Sequence, residues 1–538
     1  MTCVYIDNQP VEVSPGASVL EATRVAGHDL PALCHLDGCD ANASCLCCLV
    51  RIEGRAGAVP ACAATVSEGM RIACQTPDLR QLRKLAIELL LSDHVGECHA
   101  PCQNTCPARM DIPDMMRHIA AGRDDLAIAA IKRSIPMPAT LGRVCPEVCE
   151  KACRRAQLDQ PAAICQLKRA VADRDLASPH PYVPPQAPQS GQSVAIVGGG
   201  PTGLSAAHHL LCAGHRVTIF EAEDQLGGRL RRQFSREELP AEVLDAEIAL
   251  ILRLGASAAC NRRVGVDVTL EELCSAYDAI IVAAGELQPE QAARLGLAAD
   301  GGRLQVDATT RQTSRPRVYA GGQSVRPNKL VIYSVAEGER VARAADAALC
   351  GRPPASHKPF ESRRPRYSSD EVKLLRQSVA ERPRLSAHQL PILEAVRDEA
   401  ARCLACDCAS ADNCKLRFYA DAYECDADRF RGDKRRLAPC LEGRHAMLEH
   451  GKCIACGICV QIARKMGEPI GLSFHGRGFD VAISVPLGHS LDEALTHSTS
   501  ACIAACPTGA LSAPRRNSAV DADDPPPCTS EKHSCQSV

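Results

Sequence analysis

No tryptophan occurs in the 538-residue chain, and aromatic residues together reach only 3%. So few rings argue against the stacking platforms by which proteins grip single-stranded nucleic acid. The formal net charge is −2 and the pI about 6.8, so the basic field that phosphate backbones require is missing too. The arginine-rich runs at 363–366 and 429–436 then read as solvated faces or linkers. No run approaches the roughly 18 apolar residues that a membrane helix needs. The opening MTCVYIDNQPVEV has no charged stretch ahead of an apolar one. These absences predict a soluble, cytoplasmic protein with no membrane span and no nucleic-acid partner. No Ser/His/Asp or paired-carboxylate constellation stands out, so no catalytic side chain is named.

What the chain has is cysteine, 32 of them. In a long chain read as cytoplasmic, cysteines in tight groups mean metal rather than disulfides. The other dominant feature is Ser193–Leu230. Val194–Val197 reads as a buried parallel strand, followed by Gly198-x-Gly200-x-x-Gly203, an apolar helix, and a second strand Arg216–Phe220 that ends on Glu221. Strand, glycines, helix, strand and acid in that order form the dinucleotide fingerprint. Gly198 permits a tight turn, Gly200 lets a pyrophosphate approach the backbone, and Gly203 lets helix and strand close. The helix N-terminus offers N–H groups to phosphate, and Glu221 stands where a ribose hydroxyl is bound.

Gly228 follows closely, and downstream lie YDAIIVAAG, a strand ending at Gly285, and TSRPRVYAGG, ending at Gly322. On these pieces the chain resembles the two-dinucleotide flavoproteins, specifically the glutamate synthase small subunit and the N-terminal part of dihydropyrimidine dehydrogenase. The resemblance implies FAD at the first fingerprint, closed by the last glycine pair. Gln323 stands where that family has aspartate. The family also inserts an NAD(P)H domain between the two downstream pieces, whereas here only Glu286–Ala320 separates them, with no second fingerprint. A dinucleotide domain built from two βαβ halves of about 30 residues each does not fit.

At the N-terminus, Val4–Ile6, Val11–Val13 and Leu49–Ile52 read as strands and Ser18–Ala26 as a helix. The spacing Cys34-x10-Cys45-x2-Cys48-x13-Cys62 places four thiols on loops, which suits a two-iron centre. It resembles the [2Fe–2S] domain of complex I's large peripheral subunit and related hydrogenase subunits. Cys39 offers a plant-type alternative to this set, Cys47 lies nearby, and zinc is the competing metal. Next comes a helix over Leu82–Leu91, then two triplets, Cys98/Cys102/Cys106 and Cys145/Cys149/Cys153, with helices near Asp114–Ala121 and Asp125–Ser134 between them. The stretch PATLGRVCPEVCEKAC resembles the same glutamate synthase family. That resemblance implies two [4Fe–4S] clusters, one on Cys98, Cys102 and Cys153, the other on Cys106, Cys145 and Cys149. Cys165 and His94 are the candidate fourth ligands.

Beyond the flavin region, Cys212, Cys260, Cys274 and Cys350 stand singly and read as core residues. A helix is expected near Pro391–Ala401. Cys403, Cys406, Cys408 and Cys414 fall within a dozen residues and suit one centre, iron–sulfur or zinc, with Cys425 and Cys440 as substitutes. Cys453-x2-Cys456-x2-Cys459 starts a bacterial ferredoxin run whose fourth place is Ala463. In the two-cluster pattern the downstream Cys506-Pro507 completes this cluster. The second cluster lacks ligands at Ala463, Thr496 and Thr499, leaving Cys502 as its remnant.

The predicted fold is multidomain, α/β and α+β. It comprises a [2Fe–2S] β-grasp ferredoxin (1–80), a helical double-cluster domain (81–175), a linker (176–192) and a Rossmann-like FAD domain without the NAD(P) insert (193–351). A linker with a helix (352–400), a Cys-rich cluster module (401–440), a [4Fe–4S] ferredoxin-like domain (441–515) and a disordered tail (516–538) follow. The function implied is a flavoprotein subunit passing electrons between FAD and several clusters. Its partner is a formate dehydrogenase, hydrogenase, glutamate synthase-type or NADH-binding subunit, or a ferredoxin. An independent NAD(P)H oxidoreductase and a metal-stabilised scaffold with a vestigial FAD site are the rival readings.

Overall fold

A computed structural model of the chain describes residues 1–353, 359–379, 381–430, 432 and 440–514. The tail expected over 516–538 and most of the basic run 429–436 lie outside them. The chain divides into two compact units. Among the described residues, one gathers 1–100, 359–378 and 405–514, and the other 101–353 and 379–404.

In the first unit a five-stranded sheet runs in the order Gln9–Val13, Thr2–Ile6, Arg71–Ala73, Leu49–Ile52, Val59–Pro60. The first two strands form a hairpin whose two-residue turn, Asp7-Asn8, has positive φ at both positions. That geometry follows the strand twist and suits Asp and Asn. Thr2–Ile6 also pairs in parallel with Arg71–Ala73. The helix Val19–Val25 starts on Ser18, which exchanges capping hydrogen bonds with Glu21. It packs Val19, Leu20 and Ala22 onto Val4, Ile6, Val50 and Ile72.

The same unit holds a second core in which the two ends of the sequence meet. Leu33, Ile87 and Leu91 pack with Leu448, Ile458, Ile462, Leu495 and Leu511. Polar contacts seal the junction: Gln461 donates to the Asp40 carbonyl at 2.8 Å, and Asn42 donates to the carbonyl of Cys456. The [2Fe–2S]-type loop and the ferredoxin-type module are therefore parts of one folded body.

In the second unit five parallel strands lie in the order Val318–Ala320, Ala279–Val282, Ser193–Val197, Arg216–Phe220, Ser257–Ala259. Ala279–Val282 and Ser193–Val197 are almost wholly apolar and buried, as strands covered on both faces require. The helix Pro201–Cys212 packs against Val331–Leu349. Gly338 makes this close approach possible, since a β-carbon there would come within 2.3 Å of the Thr202 carbonyl oxygen.

The cysteine-bearing helices Ile112–Ala120, Asp124–Lys132, Pro138–Val144 and Ile164–Ala177 belong to this unit too. Glu247, wholly buried on helix Ala241–Arg253, accepts N–H bonds from Ala139 (2.7 Å) and Thr140 (2.8 Å) at a helix start. Burial pushes its carboxyl up to about 7, against the pull of those N–H groups.

Two sequence expectations change. The Pro-rich stretch 176–192 has no regular element beyond Ala177, where the helix Ile164–Ala177 ends, but is fastened down. The Ala187 N–H donates to Cys212, the Ser190 N–H donates to Gly214, and Ser190 Oγ lies 2.7 Å from His215 Nδ1. A sequence of prolines and polar residues makes no helix, yet its free backbone groups are available for such bonds. Of the four single cysteines, none is fully buried: Cys212, Cys260 and Cys274 are half-buried, and Cys350 is exposed. Cys274 still packs against the core beside Leu270 and Leu273, whereas Cys212, Cys260 and Cys350 sit at element ends. Among the described residues no helix is long and apolar enough to cross a membrane.

Candidate functional site

The carboxyl ends of the parallel strands open onto a cavity of about 540 Å³. Gly198, Gly200, Glu221, Gly228, Gly285 and Gln323 all line it. The three fingerprint glycines are needed for different reasons. A β-carbon on Gly203 would fall 1.9 Å from the Gly198 carbonyl oxygen, and one on Gly198, at φ 106°, 2.5 Å from that of Ala283. Gly200 has φ −78° and nothing within 4 Å of a built β-carbon. The fold makes no demand for glycine there; the open space lies at the start of the helix Pro201–Cys212, where backbone N–H groups could meet a phosphate. This is a cradle that fits a dinucleotide pyrophosphate.

Glu221 accepts the Gly199 N–H at 2.7 Å and the Glu223 N–H at 3.0 Å, which holds its carboxylate at the mouth of the turn. Gly322, at φ 68°, turns tightly over Thr202, whose Oγ1 would lie 2.4 Å from an added β-carbon. Gln323 donates to the Asn328 carbonyl at 2.9 Å. Arg229 was not singled out from sequence. It bridges Asn328 and Ser334 on the same wall, at 2.9–3.1 Å.

Two variants separate structure from ligand. Gly203→Ala is expected to unfold the flavin unit, because backbone atoms cannot yield the missing distance. Gly200→Val is expected to fold normally and to lose most of its FAD, measured as flavin released per chain against the wild type. Full flavin occupancy in Gly200→Val would overturn the placement.

The thiols gather in groups. Cys34, Cys45, Cys48 and Cys62 are all buried. Hydrogen bonds from the Cys45 and Cys62 thiols hold Cys34 far below the usual thiol range, while Cys45 and Cys62 are themselves pushed up. The Cys45 N–H points at the Cys34 sulfur at 3.4 Å. Cys39 is half-buried; Cys47 is buried but directs its thiol to the Cys45 carbonyl at 3.3 Å.

A second group of thiols, Cys106, Cys145, Cys149 and Cys165, lies in the other unit, and their charges act on the buried Lys168. Burial opposes the charge of Lys168, but these four sulfurs outweigh it and keep the amine above the usual lysine value. The Cys165 thiol, hydrogen-bonded to Cys145, draws the latter down to about 6. His94 lies elsewhere. It ends the helix Pro77–Asp93, and a β-carbon on Gly96 would come within 2.6 Å of its Nε2.

The third group is Cys453, Cys456, Cys459 and Cys506, which line one small cavity in the first unit. Burial raises Cys456 to about 12, with Cys506, Cys453 and Cys34 adding to the shift. Cys34 of the first quartet and Cys456 are buried in the same core. A further grouping is not legible in the spacing. Cys98 stands beside Cys408 and Cys414, with the Cys408 N–H donating to the Cys98 carbonyl at 3.2 Å. Backbone N–H groups of Ser362 and Arg417 point at the sulfurs of Cys98 and Cys414, both at 3.4 Å. Cys102, Cys153 and Cys403 belong to the second unit and Cys406 to the first. Cys425 sits near Glu88 and Lys84, and Cys440 points to the Leu441 carbonyl.

Three family models match the chain. The 2Fe-2S iron-sulfur cluster binding domain covers residues 1–77. Dihydropyrimidine dehydrogenase domain II, 4Fe-4S cluster, covers 93–179, and pyridine nucleotide-disulphide oxidoreductase covers 158–345. Among curated relatives, the NADP(+)-dependent formate dehydrogenase subunit beta of Moorella thermoacetica is 40% identical over 35% of this chain and 29% of its own. The NAD-dependent dihydropyrimidine dehydrogenase subunit PreT of Escherichia coli K12 is 38% identical over 35% of this chain and 46% of its own. The glutamate synthase [NADPH] small chain of Mycobacterium tuberculosis is 35% identical over 35% and 39% respectively. The chain thus matches less than half the length of each of these relatives.

Proposed function

We propose that this chain is an iron–sulfur flavoprotein oxidoreductase that relays electrons between a bound FAD and several iron–sulfur clusters to a partner redox enzyme. The observation that carries the reading is the meeting of the Cys34 and Cys456 sites in one core, two thiol quartets 400 residues apart in sequence. Two thiol groups in one core suit electron transfer, which requires adjacent centres. FAD supplies the exchange of electron pairs with a donor and of single electrons with clusters. The chain's own residues bind and orient it. The turn at Gly198–Gly203 cradles the pyrophosphate, Glu221 takes a ribose hydroxyl, and Gly228, Gly285, Gly322 and Gln323 shape the walls.

In the same reading Cys34, Cys45, Cys48 and Cys62 hold a [2Fe–2S] cluster. Cys106, Cys145, Cys149 and Cys165 hold a [4Fe–4S] cluster, and Cys453, Cys456, Cys459 and Cys506 another. Cys98, Cys408 and Cys414 serve one more. The relatives are named as subunits of formate dehydrogenase, dihydropyrimidine dehydrogenase and glutamate synthase. A partner of that kind, a hydrogenase or NADH-binding subunit, or a ferredoxin, in the cytoplasm, completes the proposal.

The test is metal content. Anaerobically purified protein is expected to carry iron and acid-labile sulfide in near-equal amounts, about 14 irons per chain for one two-iron and three four-iron centres. Iron near two per chain with several zinc atoms would leave the scaffold reading instead.

A further inference from the structure

Lys168 is a buried charge for which electron relay as described leaves no task. The helix Ile164–Ala177 carries Cys165 and Lys168 three residues apart. That spacing puts both on one face, and helical side chains lean toward the N-terminus. The lysine stem therefore runs back toward Cys165, with 4% of the residue exposed. The charges acting on its ammonium are the sulfurs of Cys165, Cys145, Cys149 and Cys106. Glu147 adds its negative charge beside Cys145 and Cys165, and the other carboxylates of the same helical group are engaged. Glu150 accepts the Cys165 N–H and pairs with Arg384, Asp173 pairs with Arg143, and Asp175 with Lys132.

A buried ammonium is costly unless an anion compensates it. Four thiolates around a four-iron core make such an anion, and its negative charge grows by one unit on reduction. A fixed cation at short range therefore favours the reduced state over the oxidised one, in a site where little water screens the interaction. We propose that Lys168 is the built-in counter-charge of the cluster on Cys106, Cys145, Cys149 and Cys165, and that it raises that cluster's reduction potential. The proposal rests on the ligand reading above. One electron enters the cluster and none of the protons moves, because the ammonium is charged before and after.

Two measurements keep the ligand reading and the proposal apart. EPR-monitored redox titration of the full chain, with Cys106→Ser beside the wild type, identifies the signal belonging to this quartet. If Cys106→Ser changes no signal, the ligand reading fails and Lys168 loses its anion. With the signal identified, Lys168→Met and Lys168→Gln are expected to make its reduction at least tenfold less favourable, about 59 mV for a one-electron couple. Lys168→Arg is expected to stay near the wild type, and the other clusters to stay where they are. Unchanged potentials in both neutral variants would overturn the proposal, as would an Arg variant that falls with them. If the Met variant fails to assemble, the Gln and Arg pair decides. Loss of the cluster from all three variants would make Lys168 a requirement for assembly and equally overturn a tuning role.

Discussion

Mixing the anaerobic protein with NADH or NADPH is expected to leave its flavin absorbance unchanged, while dithionite or a low-potential ferredoxin bleaches it. The reason lies between the strands Ala279–Val282 and Val318–Ala320, which pair directly and in parallel. The connection between them forms a short helix, Pro289–Arg294, and a two-residue ladder, Ala299–Asp300 against Arg303–Leu304. Its apolar residues Ala292, Leu295, Leu297 and Leu304 are buried against Ala195, Ile280 and Val318 of the sheet. These residues are committed to covering the flavin sheet, and no second parallel βαβ unit is formed among them. A nicotinamide ring held against the flavin needs such a unit. Stopped-flow mixing followed at the flavin's visible maximum checks the expectation. Rapid stoichiometric bleaching by either nucleotide would establish an independent NAD(P)H oxidoreductase in its place.

Cys506→Ala is expected to abolish the EPR signal of the C-terminal [4Fe–4S] cluster, and Cys502→Ala to preserve it. Cys506 follows the helix Thr499–Ala505 and lines the cavity shared with Cys453, Cys456 and Cys459, and the Leu511 N–H points at its sulfur at 3.4 Å. An N–H group aimed at sulfur stabilises a thiolate ligand. Cys502 is fully buried and directs its thiol to the Cys459 carbonyl at 3.6 Å. It acts there as a small apolar residue, and shortening it is expected to cost about 1 kcal/mol.

The positions where a second cluster's ligands are missing have other work. Ala463 is in the core. Thr496 donates to Glu468, which also accepts from His497 and Ser498. Thr499 donates to the Leu495 carbonyl. Equal loss of signal from both cysteine variants would show that the ligand assignment is wrong.

The flavin cradle was legible in the sequence because its chemistry is local. A tight turn, a close phosphate approach and an acid at the end of the next strand all lie within Val194–Glu221, and backbone sterics dictate each. The Cys453/Cys456/Cys459 run is legible for the same reason. So is Cys45/Cys48, since neighbouring loop residues need little help to face one metal.

Other features appear only when distant segments pack. Spacing cannot tell that Cys98 stands beside Cys408 and Cys414, because backbone hydrogen bonds between segments about 300 residues apart bring them together. Nor does composition reveal that Asn42 reaches Cys456, or that the Pro-rich stretch lies pinned on His215 and Gly214. Lys168 is the sharpest case. On sequence it is one more lysine of a polar-looking helix, QLKRAVADRD. Its meaning comes from burial, which removes the water that would screen its charge from four sulfurs. Local sequence determines which groups can bind a cofactor, whereas the dielectric around them is a property of the packed whole.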